Sequence, residues 1–252
     1  MPMMTAKPYL RSVSLNREKI AGAAAYPFSI PAVRTLQTLT LHSDVTFLVG
    51  ENGTGKSTLL EAIAVAWGFN AEGGSKNFNF ATRASHSELH RHLGIVRSFK
   101  RPRDGFFLRA ESYFNVATNI EELDGGGYGD PLINAYGGRS LHEQSHGESV
   151  LALMTERFRG DGLYILDEPE AALSPMRQMA VLRRIHQLVV KRSQFLIATH
   201  SPILLAYPRA IILQLNESGF EATQYRDTDH YIVSREFLNN TDEMLDDLLG
   251  TA

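Results

Sequence analysis

Apolar and polar positions follow one another in blocks that predict buried strands separated by helices. Continuous apolar runs occupy residues 45–49, 163–166 and 195–198, which is typical of strands buried on both faces. Between these runs, apolar residues recur at the three- and four-residue spacing of amphipathic helices. A chain that alternates strands with helices in this way predicts an α/β fold, with a mainly parallel sheet flanked by helices.

Shorter segments with alternating apolar residues predict further strands. Residues 9–15 and 26–30 are predicted to form a small antiparallel sheet at the N-terminal end. Residues 95–99 and 105–110 are predicted to pair as two strands around a Pro-Arg-Asp-Gly turn of hairpin type. The sequence therefore predicts two regions of antiparallel pairing in the first half of the chain.

The second half is predicted to be mostly helical between its strands. A helix is expected at residues 113–123, followed by a glycine-rich loop at 124–131. A second helix is expected at 148–159, and a third is predicted to start with Ser174 as N-cap and Pro175 at the first helical position. Its apolar stripe would comprise Met179, Leu182, Ile185, Leu188 and Val189.

The tail predicts a hairpin followed by a charged helix. Residues 211–215 and 220–225 are expected to be the two strands of the hairpin. The acidic stretch at 242–247 is predicted to be either an exposed helix face or a docking surface for a partner.

Composition limits the kinds of protein that this chain can be. Its 252 residues include no cysteine, which excludes disulfides and thiolate metal sites and agrees with a reducing cytoplasm. No apolar run is long enough to span a membrane, and the first residues lack the apolar run of a signal peptide, so we expect a cytoplasmic protein without direct membrane insertion. The net charge of −3 argues against a global basic field for nucleic acid, although a local basic patch stays open.

The first motif that carries chemistry is Gly-Glu-Asn-Gly-Thr-Gly-Lys-Ser at residues 50–57, which fits the P-loop pattern between a buried strand and a helix. Glycines let backbone N–H groups turn toward phosphate oxygens, and the helix N-terminus adds partial positive charge. Lys56 is predicted to reach the β- and γ-phosphates of ATP, and Ser57 to complete a Mg²⁺ shell. The predicted cofactor-binding residues are Asn52, Gly53, Thr54, Gly55, Lys56, Ser57 and Thr58.

Two acids end the apolar run at 163–166. Asp167 lies at the predicted strand end, where it would hold Mg²⁺ through water. Glu168 lies one residue further on, where it would act as general base on the attacking water. The alternative is a strand that ends in solvated acids, and the P-loop upstream makes the catalytic interpretation the stronger one.

Two further segments are candidates for the phosphate site. Ser145-His146-Gly147-Glu148 opens a predicted helix and would form a second anion site, in which Ser145, Gly147 and Glu148 contact the nucleotide. The alternative is a capped helix start, because Ser145 and Glu148 have capping-box spacing. His200 follows a buried strand and could contact the γ-phosphate and orient the water, or it could be a structural histidine.

Together these motifs resemble the ABC-type ATPases in order and spacing over residues 40–215. Residues 172–175, Ala-Leu-Ser-Pro, resemble the D-loop of that class. The resemblance implies a homodimer on ATP binding, in which each of two ATP molecules lies between one subunit's P-loop and the other's Ser-His-Gly-Glu signature. It also implies one ABC-type domain over 1–252, with a nucleotide-binding core at 1–110 and 160–252 and a helical signature subdomain at 111–159.

Two short motifs indicate which branch of the ABC-type ATPases the chain resembles. Asp-Glu-Pro-Glu-Ala at 167–171 and His-Ser-Pro at 200–202 are similar to the non-transport branch, which includes RecF, the SMC proteins and OLD-type small bacterial ATPases. That likeness implies an ATPase acting on an unknown protein partner, with DNA maintenance or defence as one expected role. The alternatives are the nucleotide-binding subunit of an ABC transporter and a nucleotide-dependent switch with negligible turnover.

Three positions depart from the family pattern or stay open. The Q-loop glutamine is not identifiable, and Arg109 or Glu111 is its candidate replacement. Tyr26 and Phe28 are candidates to stack on adenine, although buried sheet residues are the preferred interpretation of both. Three histidines form a possible metal set, for which a solvated loop is the default expectation: His86, His90 and His92.

Overall fold

The computed structural model describes residues 8–20, 25–75, 87–109 and 146–250. Several predictions concern residues outside these ranges and stay predictions. They are the helix at 113–123, the glycine-rich loop at 124–131, and the candidate residues Glu111, His86 and Ser145.

A six-stranded sheet forms the centre of the molecule. The strands of the described residues are β1 (Leu10–Leu15), β2 (Thr38–Thr40), β3 (Val45–Val49), β4 (Leu93–Arg97), β5 (Asp104–Arg109), β6 (Gly162–Asp167), β7 (Gln194–Ala198), β8 (Ile211–Asn216) and β9 (Gly219–Thr223). The strand order of the central sheet is β5-β6-β7-β3-β8-β9, and all neighbours are parallel except the final β8–β9 hairpin. Every residue of β3 and β6 is buried, which confirms the prediction of strands covered on both faces.

Helices cover both faces of this sheet, as the strand–helix alternation predicts. The helices of the described residues are α1 (Pro31–Arg34), α2 (Lys56–Trp67), α3 (His146–Glu156), α4 (Pro175–Val190), α5 (Pro202–Leu205), α6 (Asp229–Asn239) and α7 (Thr241–Leu249). One face of the sheet packs against α2 and the N-terminal segments, and the other packs against α3, α4 and α5. Within the described ranges, no helix is long and apolar enough to cross a membrane.

The small antiparallel sheet exists, but its strands differ from the predicted pair. β1 pairs with β2 on one side and β4 on the other, and residues 26–30 form turns that lead into α1. Two prolines explain the error. Pro27 cannot donate to a strand ladder, and Pro31 suits the first position of the helix that follows.

The predicted hairpin between residues 95–99 and 105–110 is also wrong. β4 pairs with β1 in the small sheet, whereas β5 pairs with β6 in the main sheet. The burial of the two strands gives the reason: β4 is only partly covered, while the Phe106–Phe107–Leu108 run of β5 is fully buried and needs cover on both faces.

The long helix α4 starts as predicted, because the Ser174 hydroxyl accepts a hydrogen bond from the Arg177 N–H and Pro175 is the first helical residue. Its predicted stripe is confirmed at Ile185 and Leu188, which are buried, and at Leu182 and Val189, which pack partly buried against the core. The predicted member Met179 is exposed, and Val181 is buried instead. At the C-terminal end, α7 carries the expected exposed acidic residues, whereas α6 was not predicted.

Candidate active site

The P-loop connects the end of β3 to the start of α2. Gly53 and Gly55 have φ angles of 77° and 93°, a left-handed conformation that side chains with a Cβ rarely adopt. A Cβ at Gly55 would also lie 2.5 Å from the Cδ1 of Ile30. The preceding segment is tied to the loop as well, since the Ala32 N–H donates to the Thr54 carbonyl at 3.0 Å. The glycines therefore allow a tight loop against a packed neighbour.

Lys56 is held inside this loop. Its Nζ donates to the carbonyl oxygens of Gly50 at 2.6 Å and Glu51 at 2.8 Å, and the residue is almost fully buried. Burial lowers the pKa of Lys56 from its ordinary value, against the opposing effect of the nearby carboxylates of Glu168 and Asp167. A desolvated ammonium group with two carbonyl partners is placed to exchange them for stronger anionic acceptors.

Ser57 and Asp167 come together from distant parts of the chain. The Ser57 hydroxyl donates to Asp167 Oδ1 at 3.0 Å, which joins the first turn of α2 to the end of β6. A hydroxyl and a carboxylate are oxygen ligands of the kind that Mg²⁺ prefers, with water and phosphate oxygens completing its shell. The pair fits the predicted magnesium site, although the described residues hold no cluster of three metal-binding side chains.

Glu168 lies just beyond Asp167 in a conformation that turns it out of the strand. Its φ angle is 49°, in the left-handed region that is rare for a residue with a side chain. Its carboxylate Oε1 is 3.7 Å from His200 Nε2, and 43% of the side chain is exposed to solvent. Backbone strain of this kind tends to occur at functional sites. The base candidate is thus accessible to water and close to His200.

Known proteins match this chain in several ways. An AAA domain family model matches residues 28–122, which include the P-loop. The fold is that of an ABC-type P-loop ATPase. A second model, described as an AAA domain, putative AbiEii toxin, Type IV TA system, matches residues 132–206.

Individual proteins to which this chain is similar are distant in sequence. A phosphonates import ATP-binding protein of Albidiferax ferrireducens is 25% identical over 235 residues, 83% of each chain. An ATP-binding cassette of an ABC transporter in its ADP conformation is 20% identical, with 92% of this chain and 95% of that chain covered and a TM-score of 0.47. The SMC head domain from Thermotoga maritima is 16% identical, with 86% and 99% covered and a TM-score of 0.44.

Arg109, a candidate for the Q-loop position, lies beside Asp167, the predicted magnesium ligand. It is the last residue of β5 and pairs in register with Asp167 of β6. Its Nη1 donates to Glu61 Oε2 at 2.6 Å, and its Nε lies 3.9 Å from Asp167 Oδ2. Glu61 of α2 was not among the predicted site residues. Its position one turn after the P-loop lysine is the signal that could have identified it.

His200 is anchored on two sides. Its backbone N–H donates to Glu170 Oε1 at 2.6 Å, and its ring Nδ1 lies 3.0 Å from Nε2 of His230 in α6. Burial raises the pKa of Glu170, against hydrogen bonds from Thr199 and His200 that lower it. His230 was not predicted, because it lies in a helix far along the chain from every motif. His200 is thus held by the segment after β6 and by α6.

We expect His230 to make stability depend on pH. Burial, followed by the neighbouring His200, lowers the pKa of His230 below its ordinary value of 6.5, while Lys56 lowers it further and Asp229 and Glu51 oppose the shift. Between the lowered and ordinary values the unfolded chain binds more protons than the folded one. The contribution of neutral His230 to the free energy of unfolding is therefore present above about pH 6.5 and is lost as pH falls.

His230→Phe removes the titrating group and keeps a ring of similar volume. Urea unfolding gives the free energy of unfolding of both proteins at pH 7.5 and pH 5.5. Between these pH values the native protein should lose more of this free energy than the variant, by up to about 1.4 kcal/mol per pH unit. Parallel losses in the two proteins would show that His230 does not titrate in this range.

The remaining predicted site residues are those of the signature segment, the two adenine-stacking candidates and the histidine set. Gly147 and Glu148 lie in the first turn of α3, and Ser145 lies outside the described residues. Tyr26 and Phe28 lie in turns rather than in a sheet, which corrects the preferred interpretation. Tyr26 is 66% exposed, whereas Phe28 is half-buried with its ring against that of His92. In the described part of the predicted histidine set, His90 contacts the Ser87 carbonyl.

Proposed function

We propose that this ABC-type domain hydrolyses ATP with Mg²⁺, and that ATP binding brings two copies together head to tail. The observation that carries the proposal is the convergence of Lys56, Asp167 and Glu168 at the carboxyl edge of the sheet. In parallel sheets this edge is where ligands bind. A desolvated lysine, a serine–aspartate pair and a glutamate with a left-handed backbone are the groups that binding and hydrolysis of a magnesium nucleotide require.

ATP binding begins at the P-loop. Phosphate oxygens replace the Gly50 and Glu51 carbonyls as acceptors for Lys56 Nζ, because a charged acceptor makes the stronger hydrogen bond. Backbone N–H groups of the loop and the first turn of α2 surround the phosphates. The residues that supply these groups are Asn52, Gly53, Thr54, Gly55 and Thr58.

Ser57 and Asp167 would hold Mg²⁺ through their side-chain oxygens. When bound, Mg²⁺ supplies charge that offsets the β- and γ-phosphates. Arg109 takes the place of the Q-loop glutamine and links the charge at Asp167 to Glu61 in α2. The exposed Tyr26 ring stacks on adenine.

Hydrolysis follows from the position of Glu168. Its carboxylate accepts a proton from water while the water oxygen attacks the γ-phosphorus. The bond from that phosphorus to the bridging oxygen breaks, and ADP leaves with the electron pair, so that ADP and inorganic phosphate are the products. His200, 3.7 Å from Glu168, orients the water and contacts the γ-phosphate. His230 and Glu170 keep the His200 ring in place.

The dimer supplies the second half of each site. Gly147 and Glu148 lie in the first turn of α3, and the N–H groups of a helix N-terminus favour an anion. In the sequence Ser145 directly precedes this helix and is proposed to add its hydroxyl. A second phosphate site without a lysine has no evident use in one chain. It closes over the γ-phosphate bound by the partner's P-loop.

The partner of this ATPase is a separate question, with two candidate answers. The His-Ser-Pro sequence at 200–202 and the toxin-system description of the model matched at 132–206 favour a non-transport role in DNA maintenance or defence. The phosphonates import ATP-binding protein favours a transporter subunit. Stable co-purification with a membrane protein would support the transporter role, and exclusively water-soluble partners would count against it.

Asp167→Asn tests the magnesium step. The variant keeps the hydrogen-bonding shape but loses the charge that holds Mg²⁺, so phosphate release in ATP and Mg²⁺ should fall about 100-fold or more. ATP affinity measured in EDTA should change little. Asp227→Asn, an exposed position near the start of α6, is the matched control. Phosphate release by the native protein that did not exceed that of Asp167→Asn would refute hydrolysis.

A further inference from the structure

A groove with basic walls lies at the amino edge of the main sheet, opposite the proposed ATP site. Two adjoining surface cavities of about 560 Å³ and 1040 Å³ form it, and both are lined by Arg103, Asp104 and Arg157. Its walls are the connections at 97–103, 157–161 and 190–193, which precede the neighbouring strands β5, β6 and β7. These strands are five or six residues long, so the groove lies roughly 17–20 Å from the ATP site. We call this surface the basic groove.

Backbone contacts join the three walls of the basic groove. The Arg103 N–H donates to the Asp161 carbonyl at 2.8 Å, and the Asp161 N–H donates to the Lys191 carbonyl at 2.7 Å. At Gly160, with φ of 101°, a Cβ would lie 2.7 Å from Lys191 Cβ. The walls therefore form one hydrogen-bonded surface in which the three backbone segments have fixed relative positions.

The charge of the basic groove is opposite to that of the whole chain. Eight basic and two acidic side chains line its two cavities, about a third of the 25 basic residues in a chain of net charge −3. Arg101, Arg159 and Lys191 have no carboxylate partner among the described residues. Such a local field attracts an anion with many charges.

The two acids are already used within the groove. Asp104 accepts hydrogen bonds from the Arg157 guanidinium at 2.8 Å, the Tyr164 hydroxyl at 2.7 Å and the Arg159 N–H at 3.0 Å. Asp161 accepts from the Tyr9 hydroxyl at 2.7 Å.

Three cations share the Asp161 carboxylate, with nitrogen–oxygen distances from 3.5 to 3.9 Å: Lys100, Arg103 and Arg192. The hydrogen bond from Tyr9, together with these cations, lowers the pKa of Asp161. One carboxylate cannot neutralise three cations, so positive charge remains for a ligand.

The chemistry of the walls favours one class of polyanion. Six of the eight cations are arginines, whose planar guanidinium groups bind phosphate with two parallel hydrogen bonds. Phe99, between Ser98 and Lys100, is 68% exposed and offers a ring on which a base can stack. A lipid surface would contact only the rim of a concave groove, whereas a flexible strand can follow its floor.

We propose that the basic groove binds single-stranded nucleic acid, with its arginines on the phosphates and Phe99 against a base. Positively charged grooves with aromatic stacking positions are the usual means of binding single strands without sequence preference. The proposal is independent of ATP hydrolysis, because the groove lies at the other edge of the sheet and binding can be measured without nucleotide.

The test is fluorescence anisotropy of labelled dT20 and U20 with the full chain at 50 and 200 mM salt. The native protein should bind at least one of them, with affinity that falls as salt rises. The groove variant is Arg101→Ala with Arg103→Ala and Arg192→Ala. It removes exposed side chains, of which Arg103 is 81% and Arg192 67% exposed. It should bind at least tenfold more weakly, with a salt slope smaller by about 2, because three phosphate contacts are lost.

The control variant makes the same charge change elsewhere, with Arg91→Ala, Arg226→Ala and Arg235→Ala at exposed positions. It should bind like the native protein. Phe99→Ala should weaken binding about fivefold or more without changing the salt slope, since it removes stacking and no charge. All variants should keep the ATPase rate of the native protein.

Three results would overturn the proposal: no binding of either oligonucleotide by the native protein at 50 mM salt, equal affinity of the groove and control variants, or unchanged affinity in Phe99→Ala. Groove-dependent binding to vesicles that contain anionic lipid, with no binding to either oligonucleotide, would identify the surface as a membrane contact instead. Failure of ATP hydrolysis in the same preparation would bear only on the proposed ATPase activity.

Discussion

Glu168→Gln should slow ATP hydrolysis by about 100-fold or more while ATP still binds. The amide cannot accept the proton of the attacking water, and general-base catalysis is typically worth a factor of 100 to 10,000. The P-loop, Lys56 and the Ser57–Asp167 pair stay intact, so the nucleotide contacts remain. Steady-state phosphate release and ATP titration separate the two effects.

The same variant should trap the ATP-bound dimer. In gel filtration with ATP and Mg²⁺ it should elute at twice the mass of the nucleotide-free chain, because the step that releases the partner is blocked. Glu217→Gln, in the exposed turn between β8 and β9, is the matched control and should hydrolyse ATP normally. A strictly monomeric Glu168→Gln protein at saturating ATP would count against the head-to-tail mechanism, and undiminished turnover would remove Glu168 as the base.

Lys56→Ala should abolish measurable turnover and weaken ATP binding about 100-fold. Hydrogen bonds from an ammonium group to charged acceptors contribute roughly 1.5–3 kcal/mol each, and Lys56 is positioned to donate to two phosphates. Titration with a fluorescent ATP analogue gives the affinity, and phosphate release gives the rate.

Folding should survive this substitution. Burial lowers the pKa of Lys56, which means that the folded protein gains little from keeping this ammonium charged and desolvated. Thermal unfolding of Lys56→Ala should therefore stay close to that of the native protein. Lys191→Ala, an exposed lysine at the opposite edge of the sheet, should leave both ATP affinity and turnover unchanged. If Lys56→Ala still bound ATP like the native protein, the loop would not be the phosphate site.

The sequence predicted the buried strands correctly, because consecutive apolar residues indicate burial on both faces. It did not predict which strands pair with one another. The runs at β3, β6 and β7 are apolar on both faces, and no location other than the sheet centre would cover them. The strands at β4 and β5 have similar local patterns, and only their contacts with β1 and β6 separate them into two sheets. Strand pairing is a long-range property that local alternation does not encode.

The sequence identifies Lys56, Ser57, Asp167 and Glu168 as candidate nucleotide-site residues because each lies in a short motif next to a recognisable strand or helix. Their neighbours could not be predicted in this way. Glu61 meets Arg109 across two elements, and His230 reaches His200 from a helix with no motif of its own.

The sequence by itself determined the class of fold and the proposed chemistry of its P-loop, because both depend on residue types at fixed spacing within one strand–loop–helix unit. Only the tertiary structure decided how His200 is anchored, which sheet each of β4 and β5 joins, and that basic residues of three separate connections form one groove. Those outcomes arise because parallel strands bring their ends together at two edges of the sheet. Residues far apart in the chain thereby become neighbours.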